Sequence, residues 1–176
     1  MKEEIACRRL ISKESKAYRA LRLESLLTYP DSFGSLYEEQ QQREKLAFER
    51  FIEEAHPENF IVGACYQEEV LGICGFYRLQ DVRCRHRGEI IQMYVKPAYQ
   101  GNMIGFRLLQ QTLKEAFAIE GLEQIELQVM THILSANKVY EKVGFKECGI
   151  QKGFYKKQDN YFDQRNMILH RADFLN

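Results

Sequence analysis

Hydrophobic positions in the first third of the chain recur at strand spacing and then at helical spacing, which predicts the first three elements. A short apolar run predicts a strand over residues 5–10, and the pattern that follows predicts a helix over 13–27. A turn cluster with proline, aspartate and glycine ends this region. Strong helix formers then continue without a break, so one second helix is predicted over 37–55.

The pattern next changes to runs rich in β-branched and aromatic residues, which are typical of strands. Two such runs, 59–67 and 70–79, are joined by a short polar break, and this arrangement predicts an antiparallel hairpin. Another run predicts a strand over 88–95. Pro97 ends that strand because proline cannot donate to a sheet ladder.

The second half of the chain alternates between helical and strand patterns. Apolar residues at helical spacing predict a helix over 103–120, and alternation predicts a strand over 124–130. Ser135 is the expected N-cap of a short helix that ends at Gly144. Two further strands are predicted over 145–156 and 161–170.

This order of elements predicts an α+β protein. We expect a mixed, mostly antiparallel sheet of six or seven strands, parallel only in its middle and flanked by about four helices. The length of 176 residues fits a single core, and no linker or repeat divides the chain. The sequence therefore predicts one domain over residues 1–176.

Composition and charge exclude several classes of protein. Hydrophobic residues make up 45% and charged residues 28%, with 25 basic and 25 acidic side chains, so a bulk nucleic-acid partner is not expected. The five cysteines lack metal-binding spacing, and no metal is predicted. The sequence has no secretory leader pattern and no run near the ~18 apolar residues of a membrane span, so a cytoplasmic location without membrane association is expected.

The stretch VKPAYQGNMIGFRLL, residues 95–109, is the most informative candidate for chemistry. A strand runs there through a short loop into a helix, and Gly101 and Gly105 bracket the helix start. Backbone N–H groups at a helix N-terminus lack intrahelical acceptors, and the helix dipole favours a negative charge there. The loop therefore predicts an anion site. On spacing alone, a tight turn without a ligand is an equally good interpretation.

Two motifs resemble the GCN5-related N-acetyltransferase (GNAT) superfamily. The family's pattern Q/R-x-x-G-x-G/A is similar to residues 100–105, and ANKVYEKVGF at 136–145 is similar to the end of a second family motif. The resemblance spans nearly the whole chain, and it implies the GNAT fold and binding of acetyl-CoA as a co-substrate. It places cofactor contacts on Gln100, Gly101, Asn102, Met103, Ile104 and Gly105.

The chain departs from the family pattern at two positions. Met103 stands where the motif usually has glycine, so a Cβ and a long side chain approach the expected path of the pyrophosphate. Ile133 stands where the family often has an asparagine that contacts the pantetheine arm. Asn137, which lies three residues before Tyr140 and so on a neighbouring helical face, is the expected substitute.

Acetyl transfer to an amine needs a neutral nucleophile, whereas alkyl ammonium groups have a pKa of about 10. The resemblance places a general base at Glu89, for which a solvated strand-end carboxylate is an equal alternative. It places cofactor and oxyanion contacts on strand residues Met93, Tyr94 and Val95. Tyr140 takes the family's position for the acid that protonates the leaving thiolate, and a packing tyrosine is the alternative.

The resemblance places residues 29–54 at the acceptor side, and this segment has seven acidic residues against three basic ones. We therefore expect a cationic primary amine as acceptor, such as a polyamine, an aminoglycoside-like compound or a peptide N-terminus. Residues 131–165 have seven basic against four acidic residues, which suits a phosphorylated cofactor. Direct attack is expected, because no nucleophile motif is present. The alternative is a non-catalytic acyl-CoA sensor. A homodimer through edge strands is compatible with both.

Overall fold

A computed structural model describes residues 5–174, which form one continuous seven-stranded sheet with helices on both faces. The strands are β1 (Ala6–Arg9), β2 (Asn59–Tyr66), β3 (Glu69–Arg78), β4 (Arg87–Val95), β5 (Gln124–Met130), β6 (Lys146–Lys157) and β7 (Asn160–His170). The helices are α1 (Ser15–Thr28), α2 (Tyr37–Gln41), α3 (Ala47–Glu53), α4 (Ile104–Phe117), α5 (Leu134–Val143) and α6 (Arg171–Phe174).

The strands follow the order β1-β2-β3-β4-β5-β7-β6. Within residues 5–174, β4 and β5 are the only parallel neighbours, and all other pairs are antiparallel. The parallel pair follows from the connection through α4, because parallel neighbours need a crossover of a dozen or more residues. This confirms the predicted mixed α+β sheet with its parallel centre.

Two hydrophobic layers cover the sheet. On one face α4 presents apolar residues at three- and four-residue spacing, which places them in one buried stripe. On the other face α1 and α3 pack over β2, β3 and β4 around a second cluster that includes Tyr18, Phe48 and Ile73. The buried stripe of α4 consists of Ile104, Leu108, Leu109, Thr112, Leu113, Ala116 and Phe117.

The single helix predicted over 37–55 is wrong, because α2 and α3 are separate. Leu46 is buried immediately before α3, and its backbone N–H donates to the carboxylate of Glu49, which satisfies the first turn of α3. Arg19 on α1 also donates to Glu49 at 2.7 Å. The same guanidinium stabilises the segment between α2 and α3, because it donates to the backbone carbonyl oxygens of Gln41, Arg43 and Glu44.

The boundaries of two other helices differ from the prediction. Ser135 is not the N-cap of α5: the helix begins at Leu134 and Ser135 lies inside its first turn. Gly144 ends α5 at φ 113°, as predicted. The helix predicted over 103–120 begins one residue later and ends at Phe117. The split of the second helix and the short α6 account for six helices in the described residues instead of about four.

Candidate active site

A fork between β4 and β5 forms the centre of the site. The two strands pair at only three positions, from Arg87 with Gln124 to Glu89 with Glu126, and then diverge. Beyond Glu89 the edge of β4 that faces β5 has no strand partner. Backbone groups left unpaired at such an edge can bind a ligand in place of a neighbouring strand.

A β-bulge in β4 lies beside this fork. The register of β4 against β3 shifts by one residue between Ile91 and Tyr94, and Gln92 in this stretch has φ 55°. The hydroxyl of Tyr18 donates to Gln92 Oε1 at 2.7 Å and holds the bulge from the α1 side. Bulges bend a strand and redirect its groups, which here contributes to the divergence of β4 from β5.

The end of β4 directs backbone amides into the fork. The N–H of Lys96 donates to the carbonyl of Leu71 at 2.9 Å, towards β3. Because backbone groups alternate in direction along a strand, the amides of Met93 and Val95 lie on the opposite edge, which faces the fork. The side chain of Tyr94 points to the α1 face, where its hydroxyl donates to Glu24 Oε1 at 2.7 Å.

The loop before α4 leaves backbone amides without side-chain caps. Met103 occupies the N-cap position in the left-handed conformation at φ 62°, and it makes no capping hydrogen bond. Gly101 is also left-handed at φ 76°, and a Cβ there would meet nothing within 4 Å. At Gly105 a Cβ would lie 3.2 Å from Met93 Cε, so this glycine permits the close approach of α4 to β4.

The other loop residues brace the turn. Gln100 Nε2 donates to the carbonyl of Val95 at 2.9 Å, which ties the loop to the end of β4. Asn102 Nδ2 lies 3.3 Å from the carbonyl oxygen of Gln100. Ile104 is buried in the core below α4. The predicted motif residues therefore lie together and present an uncapped helix N-terminus, which is a ready anion site.

Lys142 is a cation beside this helix N-terminus that the motif comparison missed. Its Nζ lies 4.9 Å from the ring centroid of Phe106 and 3.9 Å from Met103 Sδ. The signal in the sequence was only the basic excess of residues 131–165. Most other cations of that segment form ion pairs, which are Arg165 with Glu141 and Glu147, Lys146 with Asp173, Lys152 with Asp163, and Lys157 with Asp31.

Tyr140 lies on the buried face of α5, and its ring packs edge-on against Phe145 with centroids 6.1 Å apart. Burial raises its pKa above the usual value for a phenol. Its hydroxyl makes no hydrogen bond to any described residue. The side chain therefore packs in the core, and its phenol remains protonated and free to donate.

Asn137 is held by the fold. Its Nδ2 donates to the carbonyl oxygens of Met130 at 3.1 Å and Ile133 at 2.9 Å. Its Oδ1 accepts from Arg165 Nη1 at 3.1 Å. These bonds fix the turn between β5 and α5, and they occupy the groups that a pantetheine contact would need. Such a contact stays a prediction, and this geometry does not favour it.

A cavity of about 360 Å³ opens at the fork on the α1 side. Its walls come from β4, β5, β7 and the loop that follows α1. Glu89 and Arg22 bring charge to it, and the exposed thiol of Cys148 lies at its rim. Its other lining residues are Ser32, Phe33, Gly34, Ser35, Ile90, Ile91, Gln92, Glu126, Leu127, Gln128, Met130, Tyr155, Gln164, Asn166 and Met167.

Glu89 and Glu126 are paired across β4 and β5, and their pKa values are shifted in opposite directions. Arg87 binds both oxygens of Glu126 at 2.6 Å, and this lowers the pKa of Glu126. Glu89 accepts no hydrogen bond from the described chain. Burial and the charge of Glu126 raise its pKa above the usual range, although Arg87 opposes the shift. Glu89 is thus a carboxylate with an enhanced affinity for protons, at the wall of the cavity.

Arg22 was missed by the sequence reasoning. It is 5% exposed, its Nη1 has no hydrogen-bond partner in residues 5–174, and its guanidinium lies 4.7 Å from the ring centroid of Phe33. A signal existed: Arg22 occupies the same helical stripe as the buried Tyr18, Ser25 and Leu26. A cation on the apolar face of a helix is unusual unless it has a partner.

Within residues 5–174, no group of three or more His, Cys, Asp or Glu side chains is arranged to hold a metal ion. None of the helices in residues 5–174 is long and apolar enough to span a membrane.

Comparison with known proteins finds relatives among acetyltransferases. The N-alpha-acetyltransferase RimI of Mycobacterium tuberculosis is 36% identical over 110 residues, which are 62% of this chain and 65% of RimI. The chain thus spans slightly less than two thirds of that curated relative. A GNAT acetyltransferase structure from Streptococcus pneumoniae aligns with TM-score 0.79 and 24% identity, covering 95% and 99% of the two chains. The yncA structure from Salmonella typhimurium, with its cofactor acetyl-CoA, aligns at 0.75 and 16%, covering 94% and 93%.

These structural similarities show the fold alone, because both structures are less than 25% identical to this chain. The family follows from a different match. The model of the acetyltransferase (GNAT) family matches residues 20–145, which include both motifs, the fork and the cavity residues Arg22 and Glu89. This stretch covers well over half of the chain. The chain therefore belongs to the GNAT family of acetyltransferases.

Proposed function

We propose that this chain, as one catalytic domain, transfers the acetyl group of acetyl-CoA to a primary amine by direct attack. The observation that carries the proposal is the fork between β4 and β5. Its edge presents strand amides, α4 begins close by with an uncapped N-terminus, and a cavity with an unpartnered carboxylate opens at the same place. The name of the RimI relative and the acetyl-CoA in the yncA structure support the same chemistry.

The loop and the first turn of α4 fit the pyrophosphate of the coenzyme. The amides from Gly101 to Gly105 carry the positive end of the helix dipole, and Lys142 adds a full charge beside them. Met103 stands where the family usually has glycine, and its backbone adopts the left-handed conformation that the turn requires. The amides of Met93 and Val95 would bind the thioester oxygen as it becomes an oxyanion.

Glu89 is the proposed base. The amine arrives as an ammonium ion, so one proton must leave before the nitrogen attacks the thioester carbon. The raised pKa of Glu89 makes it a stronger proton acceptor than an ordinary glutamate. The proton passes to Glu89 directly or through a water molecule, and the neutral nitrogen then adds to the acetyl carbon to give a tetrahedral oxyanion. Collapse of this intermediate breaks the bond to sulfur, and the nitrogen loses its second proton to solvent, which balances the proton that the thiolate takes up.

Tyr140 is the proposed partner of the leaving thiolate. A thiol has a pKa near ~8.5, well below that of a buried phenol, so complete proton transfer from Tyr140 is uphill. A hydrogen bond from the protonated phenol still stabilises the thiolate as it departs. Tyr140 therefore acts mainly as a donor in the transition state, with the final proton coming from water.

The three acceptor classes expected from the sequence are not equally supported. The name of the RimI relative favours a peptide N-terminus. The polyamine and aminoglycoside-like classes relied on the acidic excess of residues 29–54, and two of these acids, Asp31 and Glu49, pair with cations from outside the segment. Four of the seven acids in that segment form ion pairs, which are Asp31 with Lys157, Glu49 with Arg19, Glu53 with Lys45, and Glu54 with Arg50.

The test is release of free coenzyme A thiol from acetyl-CoA in the presence of a panel of amines. We expect amine-dependent release, and Tyr140→Phe should lower turnover by about 10- to 100-fold while acetyl-CoA affinity stays within about 3-fold. Tyr161→Phe is the matched control, because Tyr161 is exposed on β7 away from the fork. Binding of acetyl-CoA without thiol release from any amine would instead identify the sensor.

A further inference from the structure

We propose that Arg22 binds a carboxylate of the acceptor, so that the preferred substrates are primary amines that also carry a carboxylate. This inference rests on the proposed function and names the substrate class of the same cavity. It points away from the polyamine class, whose members carry only positive charge.

The guanidinium of Arg22 is enclosed by the protein and has no anion of its own. It is 5% exposed, and within residues 5–174 it forms no ion pair and donates no hydrogen bond. Its guanidinium carbon lies 4.7 Å from the ring centroid of Phe33. That contact covers one face of the plane and uses none of the five N–H donors. The in-plane donors are thus left for a ligand.

Burial lowers the pKa of Arg22, and the only charge interaction that opposes the shift comes from Tyr18. No carboxylate of residues 5–174 offsets the loss of water. A buried cation without a partner is costly, and proteins retain such groups where a ligand completes them. In contrast, Arg19 on the same helix is paired with Glu49 at 2.7 Å.

The cavity supplies a matching group for the amine. Arg22 and Glu89 line the same space of about 360 Å³, which lies at the lower end of the range of ~300–1,000 Å³ for small-molecule sites. Glu89 would receive the ammonium group while Arg22 holds the carboxylate. A single negative charge balances one guanidinium, whereas a phosphate dianion would add negative charge beside Glu89 and Glu126. A carboxylate is therefore favoured over a phosphate.

The experiment compares kcat/KM for pairs of acceptors that differ only at the carboxylate, such as an amino acid and its amide. A second arm uses short peptides whose first residue is Asp or Asn, which distinguishes a free amino acid from an acidic peptide N-terminus. Each compound is compared between wild type and Arg22→Gln, so its intrinsic reactivity cancels. Lys16→Gln is the control, since it removes the same charge from the exposed side of α1.

We expect Arg22→Gln to lower kcat/KM for the carboxylate-bearing compounds by about 10- to 100-fold and for their amides by less than about 3-fold. Arg22→Lys should retain part of the preference, because it keeps the charge but loses the planar pair of donors. The arm with the larger effect identifies the source of the carboxylate. Equal effects on both members of each pair would overturn the proposal and leave the acetyltransferase function intact.

A stability measurement separates binding from a role in folding. Removal of an uncompensated buried charge relieves its desolvation, so Arg22→Met should unfold at the same temperature as wild type or higher when no acceptor is present. A lower melting temperature together with an unchanged carboxylate preference would contradict the proposal. If no amine releases thiol, the proposed function fails. In that case a carboxylate compound must still raise the melting temperature of wild type and not of Arg22→Gln, or this inference fails as well.

Discussion

Two ionisable side chains at the wall of the cavity lack an ion pair of their own within residues 5–174. Glu89 accepts no hydrogen bond, and its pKa is raised by burial and by Glu126. Arg22 is almost fully enclosed, and its pKa is lowered by burial. Neither arrangement favours the folded chain by itself. Ionisable groups kept in this state are typical of sites that act on a ligand.

Glu89→Gln should separate activity from stability. Because the folded pKa of Glu89 lies above its unfolded value, its favourable contribution to stability is complete at low pH and is lost as the pH rises through the folded pKa. At neutral pH the variant should therefore be as stable as wild type or more stable, while kcat/KM falls by about 100-fold or more. Thermal unfolding and initial rates at several pH values measure both.

Glu89→Gln should also change the dependence of kcat/KM on pH. In wild type, kcat/KM should rise with pH through a pKa above the ordinary glutamate value of about 4.3, and this limb should be absent in the variant. Glu68→Gln in the exposed turn before β3 is the control and should change neither quantity. A variant at Glu89 with full turnover and the same acid limb would exclude Glu89 as the base.

Met103→Gly tests the departure from the family's loop. The left-handed conformation of Met103 costs a non-glycine residue roughly 1–2 kcal/mol, and glycine returns part of that in unfolded-state entropy. We expect a net gain of about 0.5–1 kcal/mol in the free energy of unfolding and an acetyl-CoA affinity equal to wild type or higher. Gln158→Gly, at φ 54° in the β6–β7 turn, is the matched control for stability alone. A clear loss of stability in Met103→Gly would show that its side chain supports the loop.

At the scale of elements, local sequence patterns predict the strands, but they do not predict the break between α2 and α3. The strand predicted over 124–130 matches β5 at both ends, because its alternation is complete within the segment. The break between α2 and α3 depends on Arg19, which lies on α1 and reaches the backbone of residues 41–44. Helix formers on both sides of the break give no local sign of that contact.

Arg19→Ala should therefore destabilise the chain more than an ordinary surface change. It removes charged hydrogen bonds to three carbonyl oxygens and leaves the buried carboxylate of Glu49 without its cation. We expect a loss of about 2–4 kcal/mol in the free energy of unfolding, measured by urea denaturation. Arg50→Ala, whose exposed side chain lies 3.8 Å from Glu54, should cost less than about 0.5 kcal/mol. Equal losses in the two variants would contradict this account of the break.

Part of the candidate site could likewise be predicted from the sequence, and part could not. The motif residues from Gln100 to Gly105 could be found from the sequence because their spacing is local and contiguous. The helical stripe of α1 could have marked Arg22 as buried, but its role could not be predicted, since that role depends on Phe33, on the fork between β4 and β5 and on the absence of an ion pair within residues 5–174. Those conditions arise only when distant segments pack together.

For the whole molecule, the zero net charge arises from opposed segments that touch. Lys157 of the basic segment and Asp31 of the acidic segment form an ion pair at 2.6 Å, so part of the expected separation of charge is cancelled within the fold. Lys142 remains beside the N-terminus of α4. Positive charge from the basic segment is thus present at the loop before α4.

Lys142→Gln should weaken acetyl-CoA binding by about 3- to 10-fold at low ionic strength, and the difference should shrink as salt screens the charge. Isothermal titration of wild type and variant at two salt concentrations measures this effect. Lys146→Gln removes the same charge from a cation that is exposed and paired with Asp173 at 3.1 Å, and it should change the affinity little. A salt-independent difference, or none, would remove Lys142 from the cofactor site.

The central claim is direct transfer from acetyl-CoA to an amine at the fork between β4 and β5. Incubation of the protein with acetyl-CoA, first without and then with a carboxylate-bearing amine, tests it by intact-protein mass and thiol release. We predict an unchanged protein mass and no thiol burst without the amine, followed by equal amounts of thiol and acetylated amine once it is added. A protein heavier by one acetyl group, with a thiol burst before any amine is present, would contradict direct transfer.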